Sequence, residues 1–193
     1  MNIISSSSSV EYIEKKSKFI SNIFYVDSEN DAKNYVVSIT EDNLTASHNV
    51  YAYKILENGV LKAKFSDDGE PKNTAGKPVY ELLNKLELFN IVVIITRYFG
   101  GVKLGASGLI RAYMKSAKLG IEEAGIKSYI ETKKCSLVFN YKIIGIVENI
   151  IENSKSIVVG NKEFDKKVIF DILGTKEDIS IFSQYRDVEV INR

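Results

Sequence analysis

The chain is 193 residues long, 45% hydrophobic and 26% charged, with a formal net charge of +1, the balance of an ordinary globular protein. Acidic and basic residues are evenly matched on both sides of Ile126, so a nucleic-acid binder held by net charge alone is disfavoured and any anion site must be a local patch. Cys135 is the only cysteine, which rules out an intrachain disulfide; no apolar run approaches the ~20 residues of a membrane span, and a cytoplasmic location is the default expectation.

In chain order, Ser5 to Ser9 reads as a flexible tail. Alternation at Val10–Glu14 and the run Phe19–Val26 predict two strands. Asp27 or Ser28 is placed to cap a helix through about Thr40, with Ala32, Tyr35, Val36 and Ile39 on one face. Val50–Leu56 is a strand candidate, Glu57-Asn58-Gly59 carries the Asn-Gly hairpin signal, and Val60–Phe65 should pair back. The loop from Ser66 to Pro78 holds both prolines and the carboxylates Asp67, Asp68 and Glu70. These are read as caps for the next helix or partners of Arg97 or Lys103 before they are read as a cation site, because calcium-loop spacing is absent. Pro78 suits a first helical turn, and Val79, Leu82, Leu83 and Leu86 form its apolar face.

The stretch from Asn90 organises the chain. Ile91–Ile95 is β-branched throughout, as in a strand covered on both faces. Arg97-Tyr98-Phe99 then meets Gly100-Gly101, with Gly105 and Gly108 following and Ser107 placed to cap a helix. Leu109, Ala112, Tyr113, Ser116, Ala117, Gly120, Ile121 and Ala124 share one face of that helix, and Arg111, Lys115 and Lys118 share another. No acidic residue lies between Arg97 and Lys118. A buried strand, a glycine loop and a cationic helix start make an anion-binding geometry. Ala124-Gly125 supplies a C-cap, dividing domains 1–126 and 127–193. The remainder reads strand (130–141), helix (143–153), strand (156–159), strand (168–173), helix (177–185) and strand (188–191), with Asn161 turning the middle hairpin. That β-α-β-β-α-β order is the ferredoxin-like arrangement, and Cys135 reads as a core residue within it.

Four strings carry a resemblance to the IMPACT/YigZ family: Ala46-x-His48-x-x-Tyr51-Ala52-Tyr53, Asp67-Asp68-Gly69-Glu70-Pro71-x-x-Thr74-Ala75-Gly76-x-Pro78, Arg97-Tyr98-Phe99-Gly100-Gly101-x-x-Leu104-Gly105, and Arg111-Ala112-Tyr113. The resemblance is to bacterial-type members with two domains. It implies an α+β protein whose first domain is like the second domain of the fifth small-subunit ribosomal protein, with a left-handed βαβ crossover against the usual hand. It implies a second domain like the last domain of elongation factor G. It also implies a role in translation control. The eukaryotic members' restraint of the amino-acid-starvation kinase involves proteins with a different extra amino-terminal domain, and is not carried over. Where the family has Ser-Gly before Thr74, this chain has Lys72-Asn73; Asn tolerates the left-handed backbone such a turn needs.

The leading expectation is a non-catalytic protein that contacts RNA or a ribosome-associated partner, without cofactor or metal. Arg97, Lys103, Arg111 and Lys115 would meet phosphate, backbone N–H groups of Gly100, Gly101, Gly105 and Ser107 would assist, and Tyr98 and Phe99 would stack on bases. His48, Asp67, Asp68, Glu70, Thr74 and Gly76 are motif residues without an assigned role. One alternative is a phosphate-handling enzyme using the Asp67–Glu70 and Gly100–Gly108 loops, although Walker spacing is missing. The other is a protein-interaction module with Tyr51, Tyr53, Tyr98 and Arg97 as a hot spot. Hydrolysis is unsupported by one His and one Cys.

Overall fold

A computed structural model describes residues 1–57 and 59–192, which form two compact units, Met1–Tyr129 and Ile130–Arg193. The first unit runs β1 (Asn2–Ile4), β2 (Ser8–Glu14), β3 (Ser17–Tyr25), α1 (Glu29–Asp42), β4 (His48–Glu57), β5 (Val60–Ser66), α2 (Gly76–Lys85), β6 (Ile91–Tyr98), α3 (Gly105–Ala124) and β7 (Ile126–Ser128). Its main sheet has the order β2-β3-β6-β4-β5, with every neighbouring pair antiparallel. Strands β3 and β4 therefore run parallel, joined through α1, with β6 between them.

Parity along β6 explains its unbroken apolar run. Ile91, Val93 and Ile95 pack with α2 and α3, while Val92 and Ile94 pack with Ala32, Val36 and Ile39 of α1. Each strand residue thus needs an apolar side chain whichever way it points. The buried positions of α3 are Leu109, Ala112, Tyr113, Ser116, Ala117, Gly120, Ile121 and Ala124, the face its helical spacing predicts. Smallness there is required: a Cβ on Gly120 would lie 2.6 Å from Ser21 Oγ and 2.9 Å from Ile23.

Three local expectations are corrected. The serine tract is not a tail: Ser5 and Ser6 N–H groups donate to the carbonyls of Gly125 and Ala124, Ser8 Oγ donates to the Gly120 carbonyl at 2.7 Å, and β1 pairs with β7. Serine composition suggested disorder, but the free carbonyls at the end of α3 supply the acceptors that order it. Ser107 is not the cap of α3, which starts two residues earlier with Leu104 at the N-cap position and no side-chain cap. Asn161 lies inside a strand, and the turn it was assigned falls instead after Phe164. Pairing of β4 with β5 extends to Glu57 opposite Val60; Asn58, half of the Asn-Gly signal, lies outside the described residues.

The second unit runs β8 (Lys133–Phe139), α4 (Ile144–Asn153), β9 (Val158–Phe164), β10 (Val168–Gly174), α5 (Lys176–Phe182) and β11 (Val188–Asn192). The order β-α-β-β-α-β is the one the pattern predicts, and the sheet runs β11-β8-β10-β9, antiparallel throughout. Cys135, Leu137, Phe139, Phe170 and Ile172 share its core with Val147 and Phe182. Burial raises the Cys135 thiol above its ordinary pKa, which suits a core residue.

Candidate anion-binding site

Arg97 sits on β6 with the parity of Ile91, Val93 and Ile95, so its side chain enters the α3 layer rather than solvent. It is 5% exposed. Its Nη1 donates to Glu70 Oε1 at 2.5 Å, its guanidinium lies 5.5 Å from the centre of the Phe19 ring, and Nη2 donates weakly to Ser17 Oγ at 3.4 Å. Tyr113 of α3 donates to the same Glu70 oxygen at 2.8 Å. Burial first, then the Glu70 charge, raises the Tyr113 hydroxyl above its ordinary pKa, so it remains a donor. His48, paired with Arg97 across β4 and β6, places Nδ1 2.6 Å from the Asp68 carbonyl and Nε2 3.8 Å from Glu70 Oε2. The positive charge of Arg97 is therefore balanced inside the protein, against the expectation that it contacts phosphate as a free cation.

The carboxylates of the 66–78 loop are spent on separate partners. Asp67 Oδ1 accepts from the N–H groups of Ala75 (3.1 Å) and Gly76 (2.9 Å), at the start of α2, and Oδ2 accepts from Asn73 N–H at 2.8 Å. Asp68 Oδ2 accepts from Asn49 N–H, and Thr74 Oγ1 donates to the Pro71 carbonyl. Asn73 holds φ at 64°, so the left-handed turn survives the Lys72-Asn73 replacement. A Cβ on Gly76 would lie 2.4 Å from the Ser66 carbonyl. These motif residues build the loop that carries Glu70 to Arg97, and the three carboxylates do not converge on a point where an enzyme would hold Mg²⁺.

The glycine loop is open. Gly101 (φ 83°) and Gly105 (φ 70°) have no neighbour within 4 Å of where a Cβ would stand. Gly100 is the opposite case: a Cβ there would lie 2.0 Å from the Lys16 carbonyl carbon, and its N–H donates to Ser17 Oγ. Beside the loop lies a cavity of about 440 Å³, lined among others by His48, Arg97, Phe99, Lys103, Leu104 and Gly105, within the usual range of ligand sites. Phe99 is 48% exposed at its rim, 5.6 Å from the Arg97 guanidinium. Tyr98 turns away, donating to Asn43 Oδ1 at 2.8 Å. Tyr53 is buried and donates to Glu29, so it belongs to the core and not to a surface hot spot.

Arg111 and Lys115 are exposed on α3 and line a second cavity of about 320 Å³ with Lys15, Tyr12 and Glu14. Leu104 borders both cavities. Among the described residues none of Lys15, Lys16, Lys103, Arg111 and Lys115 is ion-paired. Ser107 is exposed in the first turn of α3, whose uncapped N–H groups add partial positive charge. Sequence reasoning did not pick out Lys15, Lys16, Ser17 and Tyr113 as site residues; the signal available was the short polar break from Lys15 to Lys18 between the first two predicted strands, a length that suits a hairpin loop.

Residues 15–121 match the Impact N-terminal domain. The chain is 35% identical over 178 residues to the IMPACT family member YvyE of Bacillus subtilis, covering 91% of this chain and 80% of that protein. It is 37% identical over 100 residues to the IMPACT family member YigZ of Escherichia coli, covering 51% and 49%. A crystal structure of a hypothetical protein superposes over 100% of this chain and 96% of its own with a TM-score of 0.65 at 23% identity, a likeness of fold. The strings around His48, Asp67, Arg97 and Arg111 all lie within the matched residues, and the chain belongs to the IMPACT family.

Proposed function

We propose that this chain is a non-catalytic, cytoplasmic binding protein that takes part in translation control by engaging RNA, free or on the ribosome, at the surface around the start of α3. The observation that carries the reading is the set Lys103, Arg111 and Lys115, exposed and, among the described residues, without ion-pair partners, beside a 20-residue helix with no side-chain cap and an exposed Phe99. Cations of this kind meet phosphates, and an exposed aromatic ring accepts an unstacked base. Translation control rests on family membership together with a reading of the fold of each unit. The first unit is read as the second-domain fold of the fifth small-subunit ribosomal protein, with a left-handed β3-α1-β4 crossover. The second is read as the ferredoxin-like last domain of elongation factor G.

The test is fluorescence polarisation with labelled ribosomal RNA fragments. Lys103→Glu, Arg111→Glu and Lys115→Glu combined should weaken binding at least tenfold at low salt while leaving the thermal melt in place. Equal affinity of the variant and the unaltered protein removes the reading.

A further inference from the structure

Lys15 and Lys16 form the tip of the β2–β3 hairpin, between the paired residues Glu14 and Ser17. Both have positive φ, 45° and 67°, the requirement of the two-residue turn that Asn-Gly fills best and that unbranched L side chains fill only under strain. Both are exposed. The tip is fixed in place. Gly100 packs directly on the Lys16 carbonyl, where any side chain would collide, and Ser17 Oγ accepts from the Gly100 N–H at 3.2 Å. This anchors Lys15 across a cleft from Arg111 and Lys115 of α3. Among the described residues, Glu14 is the one carboxylate that lines the cleft, and it accepts from Tyr12 Oη at 2.7 Å, so the cations outnumber it.

We propose that the hairpin tip and α3 form the two walls of a groove that grips the phosphodiester backbone of single-stranded RNA. This rests on the function proposed above and names the second wall and the part of the RNA it holds. Arg111 and Lys115 are one turn apart, a rise of about 6 Å along the helix, which lets them meet successive phosphates of one strand. Leu104 separates this groove from the cavity rimmed by Phe99, so a strand held by its backbone here can lay a base on that ring. The contacts are to charge and not to base edges, and the grip is independent of sequence.

The discriminating variant is Lys15→Asn with Lys16→Gly. It supplies the residue pair this turn prefers, so the hairpin is kept while two charges go. The probes are fluorescein-labelled poly(U) and, as competitor, poly-glutamate. The plot of log affinity against log salt should become shallower by about 0.7 in the variant, the ~0.7 expected for the one single-strand phosphate held by Lys15, the tip lysine that lines the cleft, with no fall in melting temperature. An unchanged slope and affinity, with the Lys103→Glu, Arg111→Glu, Lys115→Glu protein still weakened, overturns the groove but not the function. No binding of poly(U) by the unaltered protein overturns both. Displacement by poly-glutamate at equal charge overturns the assignment to a phosphodiester chain.

Discussion

Glu70 is 8% exposed and carries three neighbours, Arg97, Tyr113 and His48. Burying one ion pair this deeply is weak evidence for stability, but removing one partner strands the other charge. Arg97→Ala should therefore destabilise the first unit by about 3–5 kcal/mol, measured by urea unfolding, and any loss of RNA binding in that variant would report the fold. Tyr113→Phe leaves the Arg97 pair intact and removes only one donor, so a cost of about 1–3 kcal/mol is expected. The burial of Arg97 was legible in principle, since it continues the parity of Ile91, Val93 and Ile95. Its charge and its glycine neighbours argued for the surface, and only the arrival of Glu70 from a loop 27 positions away made burial affordable.

Elements fix what single residues cannot. The glycines after β6 divide by role: Gly101 and Gly105 supply positive φ in open space, whereas Gly100 lets the loop touch the β2–β3 hairpin. Gly100→Ala should consequently lower the melting temperature more than Gly108→Ala, whose added Cβ meets only the Leu104 side chain at 3.1 Å. In the second unit, α5 begins with a capping box, Thr175 Oγ1 accepting from Asp178 N–H while Asp178 accepts from Thr175 N–H and from Ser154 and Ser156. The Ser156 hydroxyl first, then that of Thr175, holds the Asp178 carboxyl below its ordinary range. A depressed folded-state pKa contributes stability above the unfolded value and loses it as pH falls through the folded one. Asp178→Asn should hence lower the melting temperature at pH 7, by an amount that shrinks in acid below the usual carboxylate range, as calorimetry across pH would read.

The two units have separate cores: one from Ile4 to Ala124, on both faces of the main sheet, and one from Cys135 to Val188. Residues 1–129 should fold alone and melt cooperatively. The boundary expected after Ile126 falls within β7, whose Ile126, Lys127 and Ser128 pair with Ile4, Ile3 and Asn2. A fragment ending at 125 loses that two-stranded sheet, and its melting temperature should fall below that of the 1–129 fragment by circular dichroism. Next to that pairing, the carbonyls of Gly120, Ala124 and Gly125 order the amino-terminal serines, a long-range effect that composition does not carry.

Periodicity and capping chemistry act over a few residues, and what depends on them was readable: the apolar run of β6, the small-residue face of α3, the β-α-β-β-α-β order of the second unit, and the Asn73 turn. Partnership across the chain is a different matter. The carboxylates Asp67, Asp68 and Glu70 were readable as helix caps or as partners of Arg97 or Lys103, but that Glu70 takes Arg97, that Asp67 takes the start of α2, and that Lys15 stands opposite Arg111 and Lys115 was settled by tertiary packing. Charge acts through space, so the strongest electrostatic neighbours of a residue are set by where the sheet order and Gly100 bring the backbone, not by distance along the sequence.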